Sequence, residues 1–431
     1  MTHERKTALF LGFLLLWCAS PVTQSLAFAG ENSTSVLNPI PVAQSAAPIP
    51  TTAGLTSALR AVLKRPALGT FGAWVGDPAT GTTLYESNGV SPLLPASTLK
   101  LLTAVTALKV LSPSRRIATR VVVDGSTLTL IGGGDAMLAS SGPGASLATL
   151  ATQVANQVQS TPVTLNYDTS LFSGRTLAAG WKKSFPAAGV AAPVQALMVD
   201  QGRSNPRGNS RVADPAKYAM QLFAKALRKN GVKVTIGAKV KAPTSATQIA
   251  KVESIPVQQL VNHMLTDSDN DLAESLAHLS GVAQSGTGTF ATGAAAMKNA
   301  ASELGIPIQG MKLFDGSGLS RKDRIAAQSI GKILVLAANG SFDGIAPALA
   351  VAGFTGTLSD RFLTGPQKIA AGFVRAKTGT LSSDVALAGI VPDISGRVLV
   401  FAILANEISS IAKARIAVDQ FAAKLRLCGC E

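Results

Sequence analysis

Histidine is almost missing from this chain of 431 residues: there are three, and His3 falls in the extreme N-terminal segment. His263 and His278 sit in one helical stretch, where a packed or surface histidine is the ordinary reading. A Ser-His-Asp hydrolase and a histidine-built metal centre therefore have little to be made from. No G-x-S-x-G elbow and no Walker loop occurs, and "IGGGDAM" reads as a glycine turn, because a phosphate cradle would need a helix start there. Cysteine is equally scarce: Cys18, Cys428 and Cys430 form neither a disulfide framework nor a metal set. The last two could be bridged or free. Aromatics make up only 5%, too few to stack bases, so no nucleic-acid partner is expected despite a net charge of +15. An anionic cell-envelope surface suits that field better. No metal and no cofactor is called for.

Long hydrophobic runs are also absent. "TALFLGFLLLW" is too short to cross a bilayer comfortably. With the basic start Met1 to Lys6 and Ala27-Phe28-Ala29 as a cleavage site, it reads as a signal peptide, residues 1–29. Trp17 before Cys18 is too bulky for a lipobox. Residues 30–52, rich in Pro, Ser and Ala, read as a flexible leader. The rest is expected to work outside the cytoplasm, in the periplasm or cell wall, tethered to the membrane only if the signal stays on.

What is present is globular. Leu55, Leu59, Val62 and Leu63 recur at helical spacing, and "TFGAWVGDPATGTTLYESN" reads as a hairpin. From Ile117 the texture turns to strands, with Asp124-Gly125 as a tight turn. Helical periods resume at "DPAKYAMQLFAKALRKNG", and the chain ends in "FVRAKTGTL", "DVALAGIVPD", "RVLVFAILANE" and a last helix. Strands early and late with helices between imply an α+β fold: an antiparallel sheet closed by both ends of the chain, with helices on both faces. We expect one discontinuous domain built from 53–116 and 212–431, interrupted by a small, β-rich α+β insert at 117–211.

The chemistry is expected in "PASTLK", where Ser97 and Lys100 stand three apart at the start of an apolar helix. A lysine that has lost its proton can activate such a hydroxyl. Taken alone, the hexapeptide reads equally as an N-cap serine and a lysine covering the core edge. Ser329-Ile-Gly-Lys332 and Ser410-Ile-Ala-Lys413 repeat the spacing inside runs that packing explains. Ser97 differs in its company. Ser268-Asp269-Asn270 and then Lys377-Thr378-Gly379 follow it, in that order. S-x-x-K, S-D-N and K-T-G together form the signature of penicillin-recognising serine acyltransferases.

With "FDGSGLSRKD", "GTLSDRF", "AKTGTL" and "IGGGDAML" besides, the chain resembles the class C penicillin-binding proteins, from about residue 55 to 425. The resemblance implies a penicillin-binding transpeptidase-like, β-lactamase-like domain. It implies a serine D-Ala-D-Ala carboxypeptidase or endopeptidase acting on peptidoglycan stem peptides, with β-lactams as covalent inhibitors. Ser97 would be the nucleophile and Lys100 its base, with Ser268 relaying the proton and Asn270 holding Lys100 and the substrate amide. Lys377 and Thr378 would grip a terminal carboxylate, Gly379 would allow close approach, and the N–H groups of Ser97 and Thr380 would form the oxyanion hole. The family's larger members nest a third domain in the insert, for which residues 201–211 leave almost no room. Two alternatives share the signature: a serine β-lactamase, for which Glu303 lacks the usual deacylating setting, and a non-catalytic envelope protein that only binds peptidoglycan or β-lactams.

Overall fold

The computed structural model describes residues 47–158, 162–205 and 208–430. The expected signal peptide, most of the leader and Cys18 lie outside the described residues. Helix α1 (Thr52–Leu63) starts at Thr51, whose hydroxyl accepts from Gly54 N, and buries Leu55, Leu59 and Val62 at helical spacing. The hairpin of β1 (Thr70–Gly76) and β2 (Thr83–Ser87) follows, its turn held by Asp77, which accepts from Ala79 N and the Thr80 hydroxyl. After β3 (Pro92–Leu93) comes a 3-10 turn at Ala96–Leu99 that runs directly into α2 (Lys100–Leu111).

The chain then leaves for a second layer: β4 (Ala118–Asp124), β5 (Thr127–Ile131), α3 (Leu147–Val158), β6 (Val163–Asp168), α4 (Pro215–Lys229), β7 (Val234–Lys239) and β8 (Thr247–Glu253). It returns with α5 (Val257–Asp267), α6 (Asn270–Ser285), α7 (Phe290–Glu303), β9 (Ile325–Ala326), α8 (Ala327–Ala338), α9 (Ile345–Ala348) and β10 (Ala350–Val351). Last come β11 (Arg375–Leu381), β12 (Asp384–Pro392), β13 (Val398–Asn406) and α10 (Ile411–Arg426).

The main sheet runs β10-β11-β12-β13-β1-β2, antiparallel throughout. β13 is buried along its whole length because helices cover both faces, which is why its sequence is an unbroken apolar run. On one face α2, α5, α6 and α8 pack around Leu101, Leu260, Leu276 and Ile333. On the other, α1 and α10 pack Leu59 and Phe421 against Phe401. The fold is thus the expected α+β arrangement, with an early strand paired to a late one. The disulfide Cys428–Cys430 ends the described chain, and Thr51 N donates to Cys430 O at 2.7 Å, so the two ends meet.

The second sheet is mixed, in the order β7-β6-β5-β4-β8, with β5–β6 and β6–β7 parallel. Parallel neighbours need crossovers, and α3 and α4 supply them. Its core joins Val121, Leu128 and Leu165 to Phe223 and Val252, so the layer continues past the expected end at 211 to Glu253. The reason is local: the helical period at 215–229 shows which side of a helix is buried, not which sheet lies beneath it. The stems of the layer touch, Ile117 N donating to Ser254 Oγ and Ser254 N to Ile117 O, both at 2.9 Å. Among the described residues no helix is long and apolar enough to cross a membrane.

Candidate active site

Ala96 opens the site with φ +47, in the left-handed region that a side chain occupies only at a cost. Gly318 and Gly379 make room for it. A Cβ on Gly318 would collide with the Ala96 carbonyl, and one on Gly379 would lie 2.9 Å from Pro95 O and 3.0 Å from Ala96 Cβ. The next residues turn with three per turn rather than 3.6, so Ser97 and Lys100 lie directly above one another. The result is a contact of 3.0 Å from Lys100 Nζ to Ser97 Oγ.

Lys100 is fully buried, and its amine also donates to Asn270 Oδ1 at 2.7 Å and to Ser317 O at 2.8 Å. Three acceptors suit an ammonium; losing one proton frees a lone pair toward the serine hydroxyl. Burial lowers the lysine from 10.5 to about 8, against the upward pull of Asp315, Glu274, Asp269 and Asp271.

Asn270 reaches the lysine because the helical stretch around it is broken. Ser268 ends α5 in the left-handed conformation, φ 59 and ψ 38, and Asp269 restarts the helix as the cap of α6, accepting from Leu272 N at 2.9 Å. The sequence pattern reads as one helical stretch; the corner places Ser268 and Asn270 at adjoining helix ends. Asn270 is held from the far side by its own Nδ2, which donates to Val190 O at 2.8 Å. The Ser268 hydroxyl makes no hydrogen bond among the described residues.

The K-T-G segment lies on β11. That strand pairs with β10 only at Arg375 and Ala376, so from Lys377 onward its outer edge has no strand partner among the described residues. Lys377 is fully buried and donates to Thr378 O at 3.0 Å. Burial first, and then the charge of Lys100, push it well below its ordinary value. Thr378 Oγ1 meets Thr357 Oγ1 at 2.9 Å, and the Thr380 hydroxyl accepts from Arg415 at 3.4 Å.

Several groups around the site carry no motif. Glu274, one turn after Asn270 on α6, is buried and accepts from Ser317 N at 2.8 Å and from Gly316 N at 3.1 Å. Thr103 of α2 donates to Gly316 O at 2.5 Å. The turn that offers the Ser317 carbonyl to Lys100 is therefore fastened from both sides. Asp315 closes the same turn, accepting from Gly318 N, Ser320 N and Trp181 Nε1. Burial, reinforced by the Asp315 charge, raises Glu274, and the same pair of causes holds Asp323 well above the carboxylate range. The one signal for Glu274 in the sequence is its position four after Asn270, on the same helix face.

The competing residues resolve differently. Ser329 donates to Pro307 O while Lys332 donates to Gly81 O, so that pair spans two different contacts. Ser410 caps α10. His278 is buried between Phe172 and Phe290 and is lowered by burial to about 4, a neutral packed histidine. His263 is exposed beside Asp267. Glu303 ends α7 in an exposed pair with Lys109 at 3.1 Å.

Three comparisons show what the chain is similar to. The profile of the family described as D-Ala-D-Ala carboxypeptidase 3 (S13) matches residues 55–210 and 207–425. A carboxypeptidase of Mycobacterium tuberculosis is 37% identical over 409 residues, covering 91% of this chain and 87% of that protein. A D-alanyl-D-alanine carboxypeptidase of an Actinomadura species is 28% identical and covers 80% of each. Among solved structures, penicillin binding protein 4 of Haemophilus influenzae shares the fold with a TM-score of 0.72 at 22% identity, covering 88% of this chain and 98% of that one.

Proposed function

The chain belongs to the D-Ala-D-Ala carboxypeptidase 3 (S13) family, and from that premise we propose that it is a serine DD-peptidase of the cell envelope. It removes the terminal D-Ala from peptidoglycan stem peptides or cuts their D-Ala cross-links, and β-lactams acylate the same serine. The observation that carries this is the three-way contact of Lys100 with Ser97, Asn270 and Ser317, which joins motifs 170 residues apart around one buried amine.

In the first step Ser97 Oγ attacks the carbonyl carbon of the scissile peptide and its proton passes to Lys100 Nζ. The carbonyl oxygen gathers negative charge, for which the N–H groups of Ser97 and Thr380 are the proposed donors. The C–N bond then breaks, Lys100 passes the proton it took from Ser97 to the departing D-Ala amine by way of Ser268, and the stem peptide remains esterified to Ser97. Water attacks that ester and gives a proton to Lys100, which returns it to Ser97 Oγ as the bond from that oxygen to the acyl carbon breaks and the shortened peptide leaves. The carboxylate on the departing side is held by the Thr378 hydroxyl and by Lys377, whose amine the incoming negative charge favours in its protonated form against the effect of burial. An anionic wall outside the cytoplasm is the setting that the excess of basic residues suits.

Purified protein mixed with a stem pentapeptide should yield the tetrapeptide and free D-Ala by mass spectrometry. Labelled penicillin should add one adduct on Ser97. Ser97→Ala should lose both, while Ser329→Ala and Ser410→Ala keep them. An adduct on Ser97→Ala would sink the assignment.

A further inference from the structure

The second layer contains a cavity of about 490 Å³ that none of the three motifs lines. It opens where the parallel strands β6 and β7 end, and the carboxyl ends of parallel strands are the usual place for a ligand in α/β units. One lip is the segment 169–176 after β6, the other the segment 239–241 at the end of β7. A single buried carboxylate holds both: Asp168 accepts from Ser170 N and from Ala242 N, each at 2.7 Å. Val240 N donates to Tyr167 O at 2.9 Å, and Ser173 N donates to Gly288 O at 2.8 Å, which ties the first lip to the connection between α6 and α7. The cavity is therefore preformed.

Its lining is one-sided. Arg175, Lys239 and Lys241 face it, and no Asp or Glu does. Among the described residues these three cations make no ion pair or hydrogen bond, and the hydroxyls of Thr169, Ser170 and Ser173 make none either. Like charges gathered round one space repel unless an anion enters it. Asp168, which holds the two lips, has both oxygens turned to backbone N–H groups. A bare phosphate would leave most of the volume empty, whereas hydroxyls beside the apolar wall of Phe172 suit an oxygen-rich ring.

We propose that this cavity is a second binding site, which takes an oxyanion carried on a saccharide and so anchors the protein to an anionic envelope polymer beside its substrate. The choice of a saccharide rests on the envelope function proposed above; the cavity and its charge do not. The oxyanion could be a phosphate on a wall polymer or the carboxylate of a muramic acid residue.

Calorimetric titration of the full chain at low salt separates these sources, using N-acetylglucosamine 6-phosphate, N-acetylmuramic acid and neutral N-acetylglucosamine as probes. At least one charged sugar should bind, about tenfold or more tighter than the neutral one, and more weakly as salt is raised. Binding of the phosphosugar alone points to a phosphorylated polymer, and of muramic acid alone to the glycan strand. The variant Arg175→Gln/Lys239→Gln/Lys241→Gln should lose about tenfold or more in affinity. Its penicillin acylation should be unchanged, which also reports that the variant is folded and that the DD-peptidase site stands independently. The proposal fails if neither charged sugar binds the native protein, if the neutral sugar binds as well, or if the variant binds undiminished.

Discussion

Below pH 8 most Lys100 side chains hold a proton on the lone pair that Ser97 needs, since burial brings this amine only to about 8. The acylation rate should therefore climb about tenfold per pH unit in acid and neutral solution and level off above about pH 8. Stopped-flow labelling with a chromogenic β-lactam at a series of pH values reads this directly; a rate still rising at pH 10 would remove Lys100 from the role of base. Glu274 touches no reacting atom, yet it fixes the turn whose Ser317 carbonyl orients the lysine. Leaving the buried Ser317 and Gly316 N–H groups without an acceptor costs about 1–3 kcal/mol, so Glu274→Ala should slow acylation by roughly ten- to a hundredfold. Glu274→Gln keeps an acceptor for Ser317 N and should recover most of that loss. Equal damage from both variants would mean that the charge, not the fastening, matters.

The corner between α5 and α6 places two motif residues at once, and it does so through a backbone conformation that serine does not favour. Ser268→Gly separates the two contributions. Glycine adopts the left-handed turn without penalty, so thermal stability should hold or rise by up to about 1 kcal/mol. Turnover of the pentapeptide should fall because the relay hydroxyl is gone; undiminished turnover would dismiss the relay. The same corner shows what could be read from the residues alone. The hairpin of β1 and β2, the order of the late strands and the Ser97–Lys100 pairing all follow from short-range pattern, period and spacing. The break at Ser268 does not, because Asp269 acts as a helix cap inside an otherwise continuous apolar period. Nor do the carbonyls of Ser317 and Val190, since a backbone acceptor leaves no mark on residue type. That the second layer runs past 211 is not legible for a related reason: α4 is amphipathic whichever sheet it covers.

At the scale of the whole molecule, the second layer and the catalytic unit are joined beside the site by a buried ion pair. Arg211 meets Asp271 at 3.1 Å, with both side chains about nine-tenths or more out of solvent, and Asp271 also accepts from Ala192 N. Removing one partner strands a charge, so Arg211→Met should lower the stability against urea by on the order of 3 kcal/mol. Adding Asp271→Asn to that variant should restore much of it; a stability unchanged by Arg211→Met would show that the pair holds nothing. The pairing of β1 with β13 has a consequence of a different kind. Thr70 stands opposite Asn406 in the register of the two strands, so the central sheet waits for the last strand of the chain. Contacts so distant in sequence form late and slowly. Ser97, the proposed nucleophile, is made early, but the strand that faces it, Arg375–Leu381, takes its place in the sheet only through β12 and β13. On the proposed mechanism, a nascent or half-threaded chain carries Ser97 disarmed, and becomes an acylating enzyme only when nearly all of it has arrived in the compartment where it folds.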